Sequence, residues 1–216
     1  MDVTAALADV RDRISSAGGD PDEVRIVAVT KGFGVDAVLA ARAAGLADCG
    51  ENYAQSMLEK VPDAPADTTW HFLGPVQRNK VKALAPHVGL WQGIDREAAG
   101  AEVARRAAGA AVLVQVNLTG DPARPGCSWD DAPALVERLQ ELGLDVRGVM
   151  GVAAPDVVEA RRQFRRLAAL ADTLGLGERS MGMSGDLEVA IQEGATIVRI
   201  GTSLFGARPG SPQVRR

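Results

Sequence analysis

The sequence predicts a closed barrel of eight parallel strands, each followed by a helix or turn, with one extra helix at the start. Short strand-like segments, the first of them rich in valine and isoleucine, alternate eight times with helical segments, and no linker interrupts the alternation. The 216 residues suffice for one domain with a substantial core and are too few for two typical domains. These observations indicate a single (β/α)8 barrel of the TIM type. We expect this domain to cover residues 1–208, followed by a disordered tail at residues 209–216.

The first predicted helix covers residues 3–17, where apolar residues recur with a helical period until Gly18 and Gly19. No strand precedes this helix, so we expect it to cover one end or flank of the barrel. The strands are predicted at residues 24–31, 46–49, 69–73, 89–92, 111–117, 145–152, 180–183 and 196–200. The remaining helices are predicted at residues 35–44, 54–60, 80–85, 95–108, 130–142, 156–174 and 186–193. Asp95 is the expected N-cap of its helix.

Composition excludes several classes of function. The net charge is −4, the basic residues are scattered, and only 4% of residues are aromatic, which argues against a nucleic-acid-binding surface. The sequence contains no run of eighteen apolar residues, so we expect neither a membrane span nor a membrane anchor. Cys49 and Cys127 lack zinc spacing, and the two histidines have no patterned partners. We therefore expect a cytoplasmic monomer with two reduced thiols and no metal.

Lys31 is the first candidate functional residue. It ends the first predicted strand and therefore lies at the barrel mouth, where this fold places ligands. An amine held away from water exists in part as the free base, and a free amine forms Schiff bases. The alternative is a lysine whose ammonium group returns to solvent along its aliphatic stem.

The turn after Lys31 also allows a different interpretation. Residues 32–37 match the pattern G-x-G-x-x-A between a strand and a helix, and Asp48 and Glu51 follow downstream. This pattern is typical of a Rossmann dinucleotide site, and it would make the protein a nicotinamide-dependent oxidoreductase. Two observations argue against it: a lysine directly precedes the first glycine, and the chain has more β/α units than an open six-stranded sheet needs.

Two further segments follow the seventh and eighth strands. In residues 180–186, serines, glycines and Asp186 precede a helix; this pattern indicates either an anion site or a plain helix cap. Arg199 lies near the end of the last strand and is followed by Gly201 and Thr202; by itself it could equally pair with a carboxylate in the helix layer. Because both segments follow the strands whose loops bind phosphate in such barrels, together they predict a phosphate site.

A lysine that forms Schiff bases and a phosphate site at the same mouth suggest pyridoxal 5′-phosphate. An arginine beside the pyridine nitrogen would keep that nitrogen unprotonated, because arginine retains its own proton. A ring in that state withdraws electrons weakly, which disfavours transamination and fits racemisation or a non-catalytic role.

Seven motifs in order resemble the pyridoxal phosphate homeostasis protein family, and the resemblance runs from about residue 3 to Arg208. They are Ala28-Val29-Thr30-Lys31, Gly50-Glu51-Asn52-Tyr53, Trp70-His71-Phe72-Leu73-Gly74 with Gln77-x-Asn79-Lys80, Val114-Gln115-Val116-Asn117, Arg147-Gly148-Val149-Met150, Ser180-Met181-Gly182-Met183-Ser184 and Arg199-Ile200-Gly201-Thr202. The chain departs from the family at Gly32 and Gly34, near which many members carry a proline, and at Arg124, where a lysine is usual.

The resemblance implies the fold of the N-terminal domain of bacterial alanine racemase and a pyridoxal phosphate held as a Schiff base on Lys31. It implies that Arg199 faces the pyridine nitrogen and that Asn52 and His71 lie near the ring. The residues implied to hold the phosphate are Ser184, Gly185, Gly201 and Thr202.

The resemblance further implies a binding protein that buffers or delivers the cofactor, with PLP-dependent apo-enzymes as partners and no robust turnover. A small amino-acid racemase is the alternative, and it would need a second acid–base group opposite Lys31. Tyr53, the only tyrosine, could reach the mouth, although we expect it to pack under a helix. Alanine racemase takes its second base from an additional β domain and a partner subunit, and we expect neither here.

Overall fold

The computed structural model describes residues 2–207, in which the eight predicted strands form one closed barrel. The strands are β1 (Arg25–Val29), β2 (Asp48–Glu51), β3 (Thr69–Phe72), β4 (Val88–Ile94), β5 (Ala111–Val116), β6 (Asp145–Gly151), β7 (Glu178–Ser180) and β8 (Ile197–Ile200). The helices are α1 (Val3–Ser16), α2 (Val35–Ala43), α3 (Ala54–Lys60), α4 (Arg78–Leu84), α5 (Glu97–Arg106), α6 (Ala132–Glu141), α7 (Val157–Thr173), α8 (Leu187–Gln192) and α9 (Thr202–Phe205), with a 3₁₀ turn at Val61–Asp63.

Neighbouring strands are parallel and follow chain order, and β1 pairs with β8 from Arg25↔Ile197 to Ala28↔Ile200. This pairing closes the sheet and confirms the predicted TIM-type barrel. The Rossmann interpretation is wrong, because a dinucleotide-binding sheet is open and has two edge strands. The tail predicted at residues 209–216 lies outside the described residues, so the proposed domain boundary stays a prediction.

Two strands end two or more residues earlier than predicted, and both endings place residues in loops at the mouth. β1 ends at Val29 because a turn begins at Thr30, whose carbonyl accepts a hydrogen bond from the Phe33 N–H at 3.1 Å. β7 ends at Ser180, three residues before the predicted end, because Gly182 has a φ of +94°. A left-handed residue cannot continue a strand, so the chain leaves the sheet before Ser184.

The apolar residues form two cores. The larger one lies between the strands and the surrounding helices and includes Trp91 and Phe164, both fully buried. The smaller one lies inside the barrel and consists of Val27, Leu90, Ala111, Leu113, Met150 and Ile197. Buried polar side chains share the interior with this small cluster, which leaves the interior less apolar than the outer layer.

The extra helix α1 packs against α8 and α9 through the residues that predicted it: Val3, Leu7, Val10 and Ile14 are all buried. It therefore covers the flank of the barrel next to the β7 and β8 loops. The predicted cap of α5 is wrong: Arg96 is the N-cap residue, and the Asp95 carboxylate accepts a hydrogen bond from Arg96 instead. Within residues 2–207, no helix combines the length and apolar character needed to cross a bilayer.

Candidate functional site

A cavity of about 350 Å³ lies at the C-terminal end of the barrel, where this fold places its active sites. Seven of the eight predicted site residues line it, together with apolar side chains such as Val29, Phe33, Leu73 and Met150. The seven are Lys31, Asn52, Ser184, Gly185, Arg199, Gly201 and Thr202. The volume falls within the usual range of small-molecule sites.

The turn that carries Lys31 is fixed on both sides. Before it, the Thr30 N–H donates to the Gly50 carbonyl at 3.0 Å and so joins the turn to β2. After it, Gly32 has a φ of +79°, a conformation that a residue with a side chain adopts only with strain. The Phe33 ring packs on Phe205 of α9, with 5.4 Å between ring centroids. The lysine turn therefore contacts the loop that follows β8.

Beneath the lysine turn lies a buried ion pair that the sequence did not predict. The Lys60 ammonium contacts the Glu51 carboxylate and donates to the Thr30 carbonyl at 2.8 Å. The Thr30 hydroxyl donates to Glu51 Oε1 at 2.7 Å. All three residues are nearly or fully buried, and Thr30 directly precedes Lys31. The signal available in the sequence is that Lys60 follows Met57 by three residues, which places both on the buried face of α3.

Hydrogen bonds tie the loops after β7 and β8 together. The Ser184 hydroxyl accepts from the backbone N–H of Ser203 at 3.2 Å, which joins the two loops across the cavity wall. Asp186, one of the residues expected to cap α8, instead accepts from the Met183 N–H at 2.6 Å and closes its own loop. The two segments that predicted a phosphate site therefore form one continuous wall.

Arg13 of α1 supports this wall from behind. Its guanidinium donates to the Ser184 carbonyl at 3.0 Å and to the Glu188 carboxylate at 2.6 and 3.0 Å. It also lies 3.4 Å from the Ser203 hydroxyl. The hydrogen bond from Arg13 holds the pKa of Glu188 below its usual value. Arg13 follows the buried Val10 by three residues, but nothing in the sequence pairs it with loops more than 170 residues away.

Arg199 lines the cavity from the barrel interior and is 4% exposed. Its Nη1 donates to the Ser180 hydroxyl at 2.7 Å and its Nη2 to the Gly151 carbonyl at 2.8 Å. Desolvation by burial lowers the pKa of Arg199 to about 10, with Asp186 acting in the opposite direction. The guanidinium therefore remains a cation at neutral pH.

His71 is the one predicted site residue that the structure does not bring to the cavity. It is fully buried inside the barrel, between Asp48, 2.7 Å from its Nε2, and Gln92, 2.8 Å from its Nδ1. The residue lies in the middle of its paired strand segment, opposite Gly50 and Leu90, and not at the strand end. His71 therefore does not line the cavity, and its expected place near a cofactor ring stays a prediction.

Other candidate groups take no part in the cavity. Tyr53 is 69% exposed, so the expectation that it packs under a helix is wrong; it borders a smaller pocket that shares Asn52 and Pro75 with the main cavity. Burial raises the pKa of both Cys49 and Cys127 to about 12, which makes them poor nucleophiles at neutral pH. In the part of the chain that the structure describes, no cluster of acidic, histidine or cysteine side chains could hold a metal ion.

The cavity residues fit the cofactor expected from the sequence. Asn52 Oδ1 and Gln115 Oε1 are buried acceptor atoms for which the described residues offer no donor, so a bound molecule could supply one. A Cβ added to Gly201 would lie 3.3 Å from the Val29 carbonyl, whereas one added to Gly185 would meet nothing within 4 Å. The cavity therefore suits a molecule with an aldehyde, an aromatic ring and an anionic group. Lys31 offers the amine, Arg199 the buried cation, and the loops after β7 and β8 the wall for the anion.

The profile described as the alanine racemase N-terminal domain matches residues 4–209. A pyridoxal phosphate homeostasis protein from Pseudomonas aeruginosa is 42% identical over 221 residues, which cover 97% of this chain and 96% of the relative.

Two solved structures of PipY from Synechococcus elongatus, each 31% identical to this chain, share the fold. The structure without PLP has a TM-score of 0.86 and covers 94% of this chain and 100% of its own. The structure with PLP bound has a TM-score of 0.77 and covers 91% of this chain and 100% of its own.

Proposed function

The chain belongs to the alanine racemase N-terminal domain family and, within it, to the pyridoxal phosphate homeostasis proteins, and from this premise we propose that it binds pyridoxal 5′-phosphate and helps to govern the intracellular supply of that cofactor. The observation that carries the proposal is that one cavity gathers Lys31, the buried Arg199 and the loops after β7 and β8. PipY, which is described with PLP bound, has the same fold over nearly the whole chain.

Lys31 would hold the cofactor covalently, as a Schiff base between its Nζ and the aldehyde carbon. When bound, the cofactor supplies an electrophilic aldehyde attached to an electron-withdrawing aromatic ring. The buried pair of Lys60 and Glu51 fixes the Thr30 carbonyl, and with it the backbone from which the Lys31 side chain departs. Phe33 and Leu73 provide apolar wall surface in the same cavity.

The loops after β7 and β8 would bind the phosphate. Ser184 and Thr202 provide hydroxyl groups, and Gly185 and Gly201 allow an anion to approach the backbone closely. Arg13 holds the Ser184 carbonyl from the far side of the wall, with its own charge balanced by Glu188. The anionic end of the ligand would therefore be directed toward the flank covered by α1.

Arg199 would face the pyridine nitrogen. Because the pKa of Arg199 stays at about 10 even when buried, the guanidinium keeps its proton and would leave the ring nitrogen without one. Two fixed acceptors, the Ser180 hydroxyl and the Gly151 carbonyl, orient the guanidinium for this contact. This arrangement holds the ring as a weak electron sink, which suits retention and transfer of the cofactor better than transamination. Asn52 or Gln115 would accept a hydrogen bond from the ring hydroxyl, the one polar group of the ligand that the other contacts leave.

The proposal also covers the recipients of the cofactor, the oligomeric state and the cellular compartment. The recipients would be PLP-dependent apo-enzymes, which need the cofactor delivered while its free aldehyde is kept from reacting elsewhere. The protein would act as a monomer in the cytoplasm, with residues 1–208 as a single domain. Size-exclusion chromatography with light scattering measures the oligomeric state directly.

The deciding experiment is an absorption spectrum of the purified protein mixed with pyridoxal phosphate, before and after borohydride reduction. We expect a covalent adduct that reduction fixes on Lys31, as located by peptide mass spectrometry. Lys31→Ala should abolish the adduct and leave the unfolding free energy within about 0.5 kcal/mol, as for most surface-accessible side chains. Lys82→Ala, a change of an exposed lysine on α4, should leave the adduct unchanged. An adduct that persists in Lys31→Ala would contradict the proposal.

A further inference from the structure

A line of five side chains crosses the barrel interior and ends at Arg199. His71 lies 2.7 Å from Asp48 and 2.8 Å from Gln92, and the Ser180 hydroxyl donates to Gln92 Oε1 at 2.6 Å. Arg199 completes the line by donating to the Ser180 hydroxyl at 2.7 Å. Gln92 belongs to β4 and Ser180 to β7, which are separated by two strands, so their hydrogen bond passes through the interior. The line connects Asp48, one quarter exposed, with the cavity.

The contacts at the Arg199 end set the direction of the hydrogen bonds along this line. A guanidinium can only donate, so the Ser180 oxygen accepts from Arg199, and the Ser180 hydroxyl donates its own proton to Gln92 Oε1. The Gln92 amide nitrogen is then turned toward His71, and an amide nitrogen also only donates. His71 Nδ1 must accept, so the ring proton is on Nε2 and is donated to the Asp48 carboxylate.

We infer that His71 is a positioning residue, a neutral imidazole with its proton on Nε2 that orients Arg199 through Gln92 and Ser180. The inference rests on the proposed function in one respect, namely that Arg199 faces a bound cofactor. His71 touches neither the cavity nor Arg199 itself. Its role is to keep the Gln92 carbonyl directed at Ser180, so that the Ser180 oxygen stays available to the guanidinium.

Burial makes this orientation hard to reverse. His71, Gln92 and Ser180 are fully buried, so water cannot replace a lost partner. With a proton on Nδ1, Gln92 would have to flip and present its amide nitrogen to Ser180. The Ser180 hydroxyl would then face two donors, Gln92 and Arg199, and its own proton would lose the Gln92 acceptor. A buried polar group left without a partner is costly, so the whole line changes together or not at all.

Two substitutions at position 71 distinguish the contributions of the two ring nitrogens of His71. In His71→Asn, the amide oxygen can take the place of Nδ1 and accept from Gln92. In His71→Gln, the longer side chain reaches the position of Nε2 and can donate to Asp48, but it leaves Gln92 without its acceptor. Both variants remove the imidazole and keep a polar side chain. A purely structural role for the ring predicts similar damage from both, whereas a positioning role predicts that only His71→Gln disturbs Arg199.

The first test uses the cofactor-free protein and nitrogen-15 NMR at neutral pH. We expect the His71 signals of a neutral ring protonated at Nε2, with the exposed His87 as internal reference. The Arg199 side-chain N–H signals should be slowly exchanging in the wild type and in His71→Asn, and lost or broadened in His71→Gln. A ring protonated at Nδ1, or at both nitrogens, overturns the inference. Identical Arg199 signals in the two variants also overturn it, and the wild-type spectrum decides even if a variant does not fold.

The second test measures retention of pyridoxal phosphate by absorbance after dialysis. We expect His71→Gln to weaken retention about fivefold, as for one typical intramolecular hydrogen bond, and His71→Asn less than twofold. His87→Asn is the matched control and should leave retention unchanged. If neither the wild type nor any variant binds the cofactor, the proposed function fails while the NMR result still decides the role of His71. Equal retention in His71→Gln and the wild type contradicts the positioning role alone.

Discussion

The two sides of the cavity are supported in different ways. On the lysine side, Thr30 is held by Glu51 and Lys60, whose charges are shielded from water, since both residues are less than 5% exposed. On the side of the β7 and β8 loops, Ser184 is held by Arg13, which pairs with Glu188, and these two side chains are 32% and 44% exposed. Both supports join an ion pair to a backbone carbonyl next to a predicted ligand contact. They differ mainly in access to solvent.

This difference determines how far each side can adjust. Water cannot compensate a charge lost on the lysine side, so the position of the Lys31 backbone is linked to the stability of the barrel itself. On the loop side, water and salt can replace a partner, so the loops can rearrange without unfolding the protein. A carrier that binds its ligand covalently at one end and must also release it needs one fixed side and one adaptable side. The following predictions test this contrast.

The largest effect is expected from Lys60→Met. It leaves the Glu51 carboxylate buried without its cation, and breaking a buried pair in this way costs about 3–5 kcal/mol. The measurement is the unfolding free energy of the cofactor-free protein from urea titration. Lys82→Met, at an exposed position of α4, serves as the control and should stay within about 0.5 kcal/mol of the wild type.

The double variant Glu51→Gln/Lys60→Met sharpens the same test. Because it removes both charges, it should recover part of the stability that Lys60→Met loses. If Lys60→Met loses less than about 1 kcal/mol, the pair behaves like a surface ion pair, and the contrast between the two sides disappears.

A smaller effect on stability, combined with a selective effect on binding, is expected from Arg13→Gln. The variant loses a partly exposed ion pair, which contributes about 1 kcal/mol at most. It also frees the Ser184 carbonyl and the loop that would hold the phosphate, so we expect affinity for pyridoxal phosphate to fall about threefold. Binding of pyridoxal, which has no phosphate, should not change.

Arg11→Gln is the matched control on the same helix. Arg11 pairs with Asp22, these side chains are 41% and 80% exposed, and neither residue lines the cavity. This variant should alter neither ligand. Equal losses for pyridoxal phosphate and pyridoxal in Arg13→Gln would show that Arg13 supports the cavity as a whole and has no particular relation to the phosphate.

The sequence predicted the fold and most of the cavity because both follow from local patterns. The alternation of strand-like and helical segments predicted eight strands, and in a closed parallel barrel the strand ends must meet at one mouth. That Lys31, Ser184, Arg199 and Thr202 share one cavity could therefore be predicted without knowing how the core packs. His71, which was implied by the resemblance, is the one predicted site residue that does not line this cavity, because it lies within β3 and inside the barrel.

The supports behind the cavity could not be predicted in the same way. Arg13 and Ser184 are 171 residues apart, and Gln92 and Ser180 are 88 apart, so no local pattern joins them. Their contacts depend on the strand register and on the position of α1, which are set by the packing of the whole core. The burial of Lys60 could have been predicted, because its spacing from Met57 places it on a buried helix face. A buried lysine requires an anionic partner, although the spacing does not identify that partner.

The smallest predicted effect is the pH dependence of the loop-side support. Arg13 lowers the pKa of Glu188 below its ordinary value of 4.5, so the folded state favours the ionised carboxylate. A lowered carboxyl pKa contributes stability above the ordinary value and loses it as the pH falls through the folded-state pKa. The wild type should therefore exceed Arg13→Gln in stability near neutral pH, and this difference should shrink as the pH falls below 4.5.

Urea unfolding of both proteins at about pH 7, 5 and 3 measures this difference. Glu188→Gln is the control: it removes the titrating group, so its own difference from Arg13→Gln should not change with pH. A gap between wild type and Arg13→Gln that persists at the lowest pH would mean that Arg13 acts through the neutral Ser184 carbonyl and not through Glu188. The loop side would then depend on a hydrogen bond to the backbone, as the lysine side does at Thr30, and the two supports would differ less than their exposure suggests.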